Sequence, residues 1–331
     1  MFVEVLARLV KEHHIDILLP MTELTTTLLL THKDAFPGIV IPFPEMSRVD
    51  ALANKCTLMR TAESLGIPVP RTWYVDDPAT IPDFKDAPSF PAVLKPGRSW
   101  LRLQDQWQRS AVKFPVDESA LNSIIDSDPA FHTHPFMIQE YVAGHGQGVF
   151  ALYNQGKPLA FFSHRRLREK PPGGGVSVLS ESITTDPALV SHARSLLDKV
   201  GWHGVAMVEF KVAPDGAPYL MEINTRFWGS LQLAIDAGVD FPYLLYQLAC
   251  GENPDPVDSY KTGIRLRWLL GDLDSLYLTL KDQHTTSRAK LMAVMRFLTP
   301  SPFKTRHEVN RWNDPGPCLC ELREYLRDII R

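Results

Sequence analysis

Residues 205–226, VAMVEFKVAPDGAPYLMEINTR, decide the fold of this 331-residue chain. From Tyr219 to Asn224 apolar and polar side chains interleave, the pattern of a half-buried strand. Asp215-Gly216 tolerates the positive φ angles of a tight two-residue turn, so the stretch reads as a β-hairpin. Pairing outward from that turn sets Glu209 directly opposite Glu222, and directly opposed residues share a face. Asn224, two residues beyond Glu222, joins the same face. Two carboxylates about 5 Å apart repel by roughly 3 kcal/mol at an effective dielectric near 20. The arrangement needs a cation or a shared proton to relieve it.

Two carboxylates and an amide are hard oxygen donors. They suit a cation such as Mg²⁺, or Mn²⁺, that keeps several waters and completes its shell with substrate phosphates. Arg226 follows two residues later with a fork of donors matched to phosphate oxygens. Taken alone, the stretch is equally compatible with a solvated edge strand carrying scattered charges.

The remainder of the chain bounds the reading. With 44% hydrophobic and 22% charged residues the composition is that of a folded globular protein, and the length suggests two or three packed units. No apolar run approaches the roughly 18 residues of a membrane helix, and the N-terminus lacks the order of a secretion signal. A cytoplasmic protein without membrane contact is expected. A formal charge of −3 gives no basic footprint for nucleic acid. Four scattered cysteines read as reduced thiols, and neither Cys318-x-Cys320 nor His132-x-His134 has the company a metal site needs.

Along the chain, 2–12 reads as a helix, IDILLP as a short strand, 22–33 as a helix and GIVIPF as a strand, a βαβ rhythm. Ser47 with Asp50 resembles a capping box opening one helix through Lys55 to Leu65, stopped by Gly66 and Pro68. From Pro70 onward short strands dominate: TWYV, FPAVLKP, FMIQEYV, VFALYN and KPLAFFSHR, in a mixed or antiparallel sheet. EKPPGGGVS reads as a glycine-rich loop. Asp186-Pro187 opens a helix that closes at Gly201. In RFWGSLQLAI the spacing of Leu231, Ala234 and Ile235 predicts a core-facing helix. GIRLRWLLGD reads as a strand returning to the main sheet, and 321–330 has helical patterning. No G-x-x-x-x-G-K-[ST] loop and no G-x-S-x-G elbow is present.

VEF followed by MEINTR resembles the metal-binding end of the ATP-grasp superfamily, which includes biotin carboxylase, carbamoyl phosphate synthetase and D-alanine:D-alanine ligase. The order of further parts extends the resemblance across about 47–250. ANKCTLMRTAESLGIPVPRT places Lys55 after a first nucleotide-fold unit, FPAVLKPG places Lys95 on a small-lobe strand, IQEYVAGHGQG matches the adenine hinge, and PPGGGVS matches a flap over the triphosphate. The resemblance implies an α/β (α+β) ATP-grasp fold. It divides the chain into a shortened Rossmann-like pre-ATP-grasp domain (1–46), an ATP-grasp domain (47–250; small lobe about 70–140, large lobe about 141–250) and a small helical C-terminal extension (251–331).

The same resemblance implies roles. Lys55 and Lys95 supply charge to the α- and β-phosphates, with Lys95 and Arg226 also catalytic. Gln139, Glu140, Tyr141 and Val142 hold the adenine, and Gln147 stands where many relatives carry an acidic residue facing the ribose, a departure from the pattern. Gly174 and Gly175, with Gly173, let backbone approach phosphate. At least one of the cations Arg165, Arg166, Arg168 and Lys170 meets a phosphate or the acyl substrate, with Arg166 the choice for nucleotide. Glu209, Glu222 and Asn224 hold the metal. The implied reaction turns a substrate carboxylate into an acylphosphate at the expense of ATP, for attack by an amine, with Mg-ATP bound between the two lobes. HRRLRE, GVAMVEFK and EINTRFWGSL most resemble predicted ATP-dependent carboxylate-amine ligases. Residues 21–27, where Glu23 could meet an amine or simply suit a helix N-terminus, and the stretch NTRFWGSLQ are the places for the acceptor. Alternatives are an ATP-grasp phosphotransferase and a nucleotide-binding protein without turnover. Expected partners are a small-molecule carboxylate and amine, with a homo-oligomer allowed.

Overall fold

A computed structural model describes residues 1–80, 88–103, 106–299 and 305–330. In chain order the elements are α1 (Phe2–Glu12), α2 (Glu23–Thr31), α3 (Met46–Ala53), α4 (Lys55–Ser64), β1 (Thr72–Val75), β2 (Ala92–Pro96), β3 (Trp100–Leu103) and β4 (Gln106–Arg109). There follow α5 (Glu118–Ser127), α6 (Ala130–Thr133), β5 (Phe136–Glu140), β6 (His145–Asn154), β7 (Lys157–Lys170), β8 (Val176–Ile183), α7 (Pro187–Lys199), β9 (Gly204–Val212) and β10 (Pro218–Asn224). The chain ends with α8 (Leu231–Ala237), α9 (Phe241–Ala249), β11 (Arg265–Arg267), α10 (Leu269–Lys281), α11 (Ser287–Leu298), β12 (Thr305–His307) and α12 (Gly316–Ile330). Among the described residues no helix is long and apolar enough to cross a membrane.

The chain forms two compact units. The first comprises Met1–Phe161, Thr185–Trp228 and Pro242–Pro256; the second comprises Phe162–Thr184, Gly229–Phe241 and Val257–Arg331. In the first, β1, β5 and β2 make an antiparallel sheet with β5 central, and β10, β9 and β6 pair side by side in that order. Phe131, Phe136, Ile138, Leu94 and Val75 bury one face of the smaller sheet. A larger core gathers Leu58, Met59, Trp202, Val208, Phe210, Leu220 and Ile223, each apolar side chain contributing about 1.5–3 kcal/mol. In the second unit, β7, β8, β11 and β12 are successive neighbours.

Several sequence expectations shift here. IDILLP and GIVIPF meet only at a single parallel bridge, Ile17 with Val40, because two hydrogen bonds (Leu18 N to Val40 O and Val40 N to Asp16 O, both 2.9 Å) are all the ladder they make. The helix expected from Ser47 to Leu65 is two helices, and Glu45 rather than Ser47 precedes the first. Asn54 causes the break: its backbone is extended, and its side chain accepts from Cys56 N and Thr57 N, capping a fresh helix. α8 does form, but its buried face is Leu233, Ala234, Asp236 and Ala237, with Leu231 and Ile235 only half-buried. The expected α7, with Asp186 accepting from Ala188 N at 2.8 Å, and the C-terminal helix are present, as is the strand β11, antiparallel to β8.

Candidate active site

The β9–β10 hairpin carries the centre of the site, and its register has two parts. Near the turn, Pro218 faces Val212, Tyr219 faces Lys211 and Leu220 faces Phe210; beyond Leu220 the pairing shifts by one, so that Glu222 faces Glu209 and Ile223 faces Val208. The turn itself is one residue longer than expected. Ala213 N donates to Ala217 O, leaving Pro214-Asp215-Gly216 as a three-residue loop with Gly216 at φ +89°. Pairing outward from that loop without interruption would set Glu209 opposite Met221 and turn Glu222 toward the core. A β-bulge at Met221 restores the offset. Leu220 and Ile223, three apart, therefore both bury, while Met221, Glu222 and Asn224 lie on the other face.

On that face the side chains meet in a chain of polar contacts. Asn224 Nδ2 donates to Glu209 Oε1 at 2.9 Å, and Arg226 donates to Asn224 Oδ1 at 2.8 Å and to the Phe227 carbonyl at 2.6 Å. Lys55 Nζ lies 3.1 Å from Glu222 Oε2 and donates to Ser99 Oγ at 3.1 Å. The Asn54 break makes Lys55 the first residue of α4, and its own N–H donates to Gly97 O at 2.8 Å, tying the helix start to the end of β2. Lys95 on β2 reaches Met221 Sδ at 3.9 Å. Phe150 and Trp228, with ring centroids 4.4 Å apart, close the apolar side of the same face.

Two buried lysines respond differently to this field. Burial works against the charge on Lys55, but Glu222, Glu23 and Glu209, with the hydrogen bond to Glu222, outweigh it and hold the pKa above the ordinary lysine value. Burial dominates at Lys95 and pulls its amine down to about 8, with Lys55 adding repulsion and Glu222 and Glu209 pulling the other way. Among the described residues no three His, Cys, Asp or Glu side chains gather into a metal-holding group. The donor set on the hairpin is two carboxylates and an amide, the hard-oxygen chemistry of a divalent ion whose shell is finished by phosphate. The Lys55 ammonium lies against Glu222 and the Asn224 amide donates to Glu209, so both carboxylates meet positive or donor groups, and the oxygen donors fit such an ion.

Of the residues expected from sequence, Lys55, Lys95, Glu209, Glu222, Asn224 and Arg226 come together in the first unit. Gln139 pairs with Val93 on β2, two residues from Lys95, and so shares the face of Lys95; it is fully buried, donates to Thr72 Oγ1 at 2.9 Å, and its Oε1 meets no hydrogen-bond donor. Glu140 uses its N–H on Arg71 O, and Tyr141 is 39% exposed beside Val142 just beyond β5. Gln147 is buried opposite Phe210, which sets its side chain on the face away from Glu209. Arg166, Gly174 and Gly175 belong to the second unit, where the loop shortens to Pro171–Gly175 because Glu169, Lys170, Val176 and Ser177 are strand. Arg165 is paired with Glu181, Arg168 with Asp272 and Lys170 with Asp274, and Arg166 lies 3.4 Å from Glu169 Oε1 and donates to Gly175 O at 3.0 Å. Ser99 and Met221 escaped sequence reasoning, since neither carries a chemical signal outside its position in space.

Residues 132–271 match the family model described as ATP-grasp in the biosynthetic pathway with Ter operon. The vancomycin C-type resistance protein VanC1 of Enterococcus gallinarum is 26% identical over 222 residues, 59% of this chain and 60% of that protein. The chain thus spans about 60% of the length of this curated relative. Among solved structures, a biotin carboxylase of Campylobacter jejuni in a β,γ-ATP complex superposes with TM-score 0.58 at 14% identity, over 80% of this chain and 60% of the other. An L-amino acid ligase of Bacillus licheniformis gives 0.54 at 16%, over 75% and 59%, and the ATP complex of D-alanine–D-alanine ligase of Bacillus anthracis gives 0.51 at 20%, over 69% and 74%. The fold is that of the ATP-grasp superfamily.

Proposed function

We propose that this ATP-grasp chain is an ATP-dependent ligase that activates a carboxylate as its acylphosphate for attack by an amine. The observation that carries the proposal is the gathering in the first unit of Lys55 paired with Glu222, Glu222 opposite Glu209 in the register of the hairpin, and Asn224 bonded both to Glu209 and to Arg226. A carboxylate oxygen is a poor leaving group, so it first takes the γ-phosphoryl group of ATP, and the amine then displaces phosphate. Glu209, Glu222 and Asn224 would hold a divalent ion, which supplies charge neutralisation at the β- and γ-oxygens during transfer. Lys55 is held charged by its acidic neighbours, ready to meet phosphate oxygens. Lys95, whose charge burial disfavours, holds its proton more firmly beside a polyanion, because an anion favours the protonated amine. Arg226, oriented by Asn224 and the Phe227 carbonyl, presents its guanidinium to the transferred group. The carbonyl of Glu140 and the backbone of Val142 face the adenine edge, and Gln147 is assigned no part.

The test is ADP release from ATP across pairs of amino acids and small carboxylates. Release that requires both a carboxylate and an amine is expected, and Glu222→Gln should remove it. Full turnover by that variant, or ADP formed with a phosphorylated product and no amine, would sink the ligase assignment.

A further inference from the structure

Gly97, Arg98 and Ser99 carry the chain from β2 into β3, and each is held by neighbours in the first unit. Gly97 donates to Pro135 O at 3.0 Å and accepts from Lys55 N at 2.8 Å, and a Cβ on it would stand 3.1 Å from Pro135 O. Arg98 is paired with Asp50 on α3 at 2.8 Å, and Ser99 O accepts from Ser110 N at 2.9 Å. The turn is a fixed mount for the Ser99 hydroxyl. That hydroxyl accepts from Lys55 Nζ at 3.1 Å.

The Lys55 ammonium thus has two oxygen partners, Ser99 Oγ and Glu222 Oε2, each at 3.1 Å. Its side chain is 7% exposed and that of Glu222 is 32% exposed, so the carboxylate reaches water while the ammonium is enclosed. An enclosed ammonium that loses its carboxylate is left uncompensated, so it can only exchange one partner for another within the site. A divalent ion bound by Glu222 would have that ammonium as a competitor for the same carboxylate. Phosphate oxygens arriving with the ion would offer the ammonium a new anionic partner. Lys95 feels the same carboxylates through space, and its own amine reaches Met221 Sδ at 3.9 Å instead.

We propose that Lys55 is the resident counter-cation of Glu222, seated by Ser99 as a positioning residue, and that a divalent ion binds by displacing it. Metal and nucleotide are then coupled: the ion binds weakly alone and tightly with ATP, whose phosphates take over the released ammonium. By linkage the metal strengthens ATP binding to the same degree. Ser99 gives the ammonium a partner that stays in place during the exchange. Displacement at Glu222 rests on the reading of Glu209, Glu222 and Asn224 as a metal site, and all of these residues belong to the first unit.

The experiment uses the full chain, with Mn²⁺ alone titrated by electron paramagnetic resonance of the free ion and Mn-ATP titrated by calorimetry. Lys55→Gln should bind Mn²⁺ alone about tenfold more tightly than the parent, as for removal of one charge-assisted competitor, and Mn-ATP more weakly. Lys95→Gln, which removes a charge acting only through space, should tighten Mn²⁺ by less than about threefold. Ser99→Ala should weaken Mn²⁺ binding about threefold in the parent and leave it unchanged in Lys55→Gln, whereas a merely structural serine would act alike in both. Ser99→Thr, which keeps the hydroxyl, should restore the parent affinity, and this pair carries the test even where Lys55→Gln folds poorly. Mn²⁺ affinity unchanged in Lys55→Gln, equal gains in Lys55→Gln and Lys95→Gln, or an equal loss from Ser99→Ala in both backgrounds would each overturn the proposal. If neither the parent nor Lys55→Gln binds Mn²⁺, with or without ATP, the metal reading itself fails and the displacement with it.

Discussion

Lys55 shows how a buried charge is kept when its neighbours are supplied by distant segments. Its amine lies among Glu222, Glu23 and Glu209, whose combined field exceeds the cost of burial. Glu308 shows the opposite balance. Burial, then the nearby Glu321, raise its carboxyl to about 7, with Arg311 only partly offsetting them. A carboxyl whose folded pKa exceeds its unfolded value of about 4.3 favours folding in its protonated form, and that contribution fades as pH rises from about 4.5 through 7. Glu308→Gln should therefore gain stability relative to the parent as pH is raised across this window, by up to about 1.4 kcal/mol for each pH unit traversed. Urea denaturation at pH 5 and pH 8 measures it. A difference that stays constant between the two would contradict the assigned environment.

The β9–β10 hairpin depends on two local irregularities that cancel. The three-residue loop displaces the register by one, and the bulge at Met221 returns it, so Glu222 ends on the face of Glu209. Gly216, at φ +89° with no atom near a prospective Cβ, serves only the backbone, and Gly216→Ala should cost about 1 kcal/mol without moving the carboxylates. Gly144 sits at the start of β6 with φ +147°, and a Cβ there would lie 2.1 Å from the Val212 carbonyl. Gly144→Ala should be far more damaging, because backbone must move to admit it. Chemical denaturation of both variants separates these cases, and equal losses would show that the close approach at Gly144 is not rigid.

For the whole chain, the proposed site predicts linkage between nucleotide, metal and stability. A ligand that binds only the folded state stabilises it by about 2.7 kcal/mol at a hundredfold excess over its Kd. Mg-ATP should raise the melting temperature by several degrees, and EDTA, or Glu209→Gln together with Glu222→Gln, should remove the rise. Thermal denaturation with ATP alone, Mg²⁺ alone and both reads this directly. A full shift with ATP in EDTA would exclude metal-dependent binding on the hairpin.

Local chemistry was enough to place the hairpin, the opposition of Glu209 and Glu222 and the helix opened by Asp186, because turn residues, period-two patterning and capping act over a few neighbours. It could not show that Asn54 splits a helix to seat Lys55, since Asn54 competes with an otherwise continuous helical pattern. Nor could it show that Glu209 and Glu222 meet through a longer loop and a compensating bulge. The basic run before the glycine loop looked like a phosphate surface in sequence, but in the fold Arg165, Arg168 and Lys170 are taken by Glu181, Asp272 and Asp274. Those partners lie 16 to 104 residues away, and only chain folding brings opposite charges together over such separations. The amino-acid order thus determined which charged and amide side chains the chain carries and their local faces; tertiary packing decided which of them meet on the hairpin and which are held in ion pairs, because such pairs join segments that are far apart in sequence.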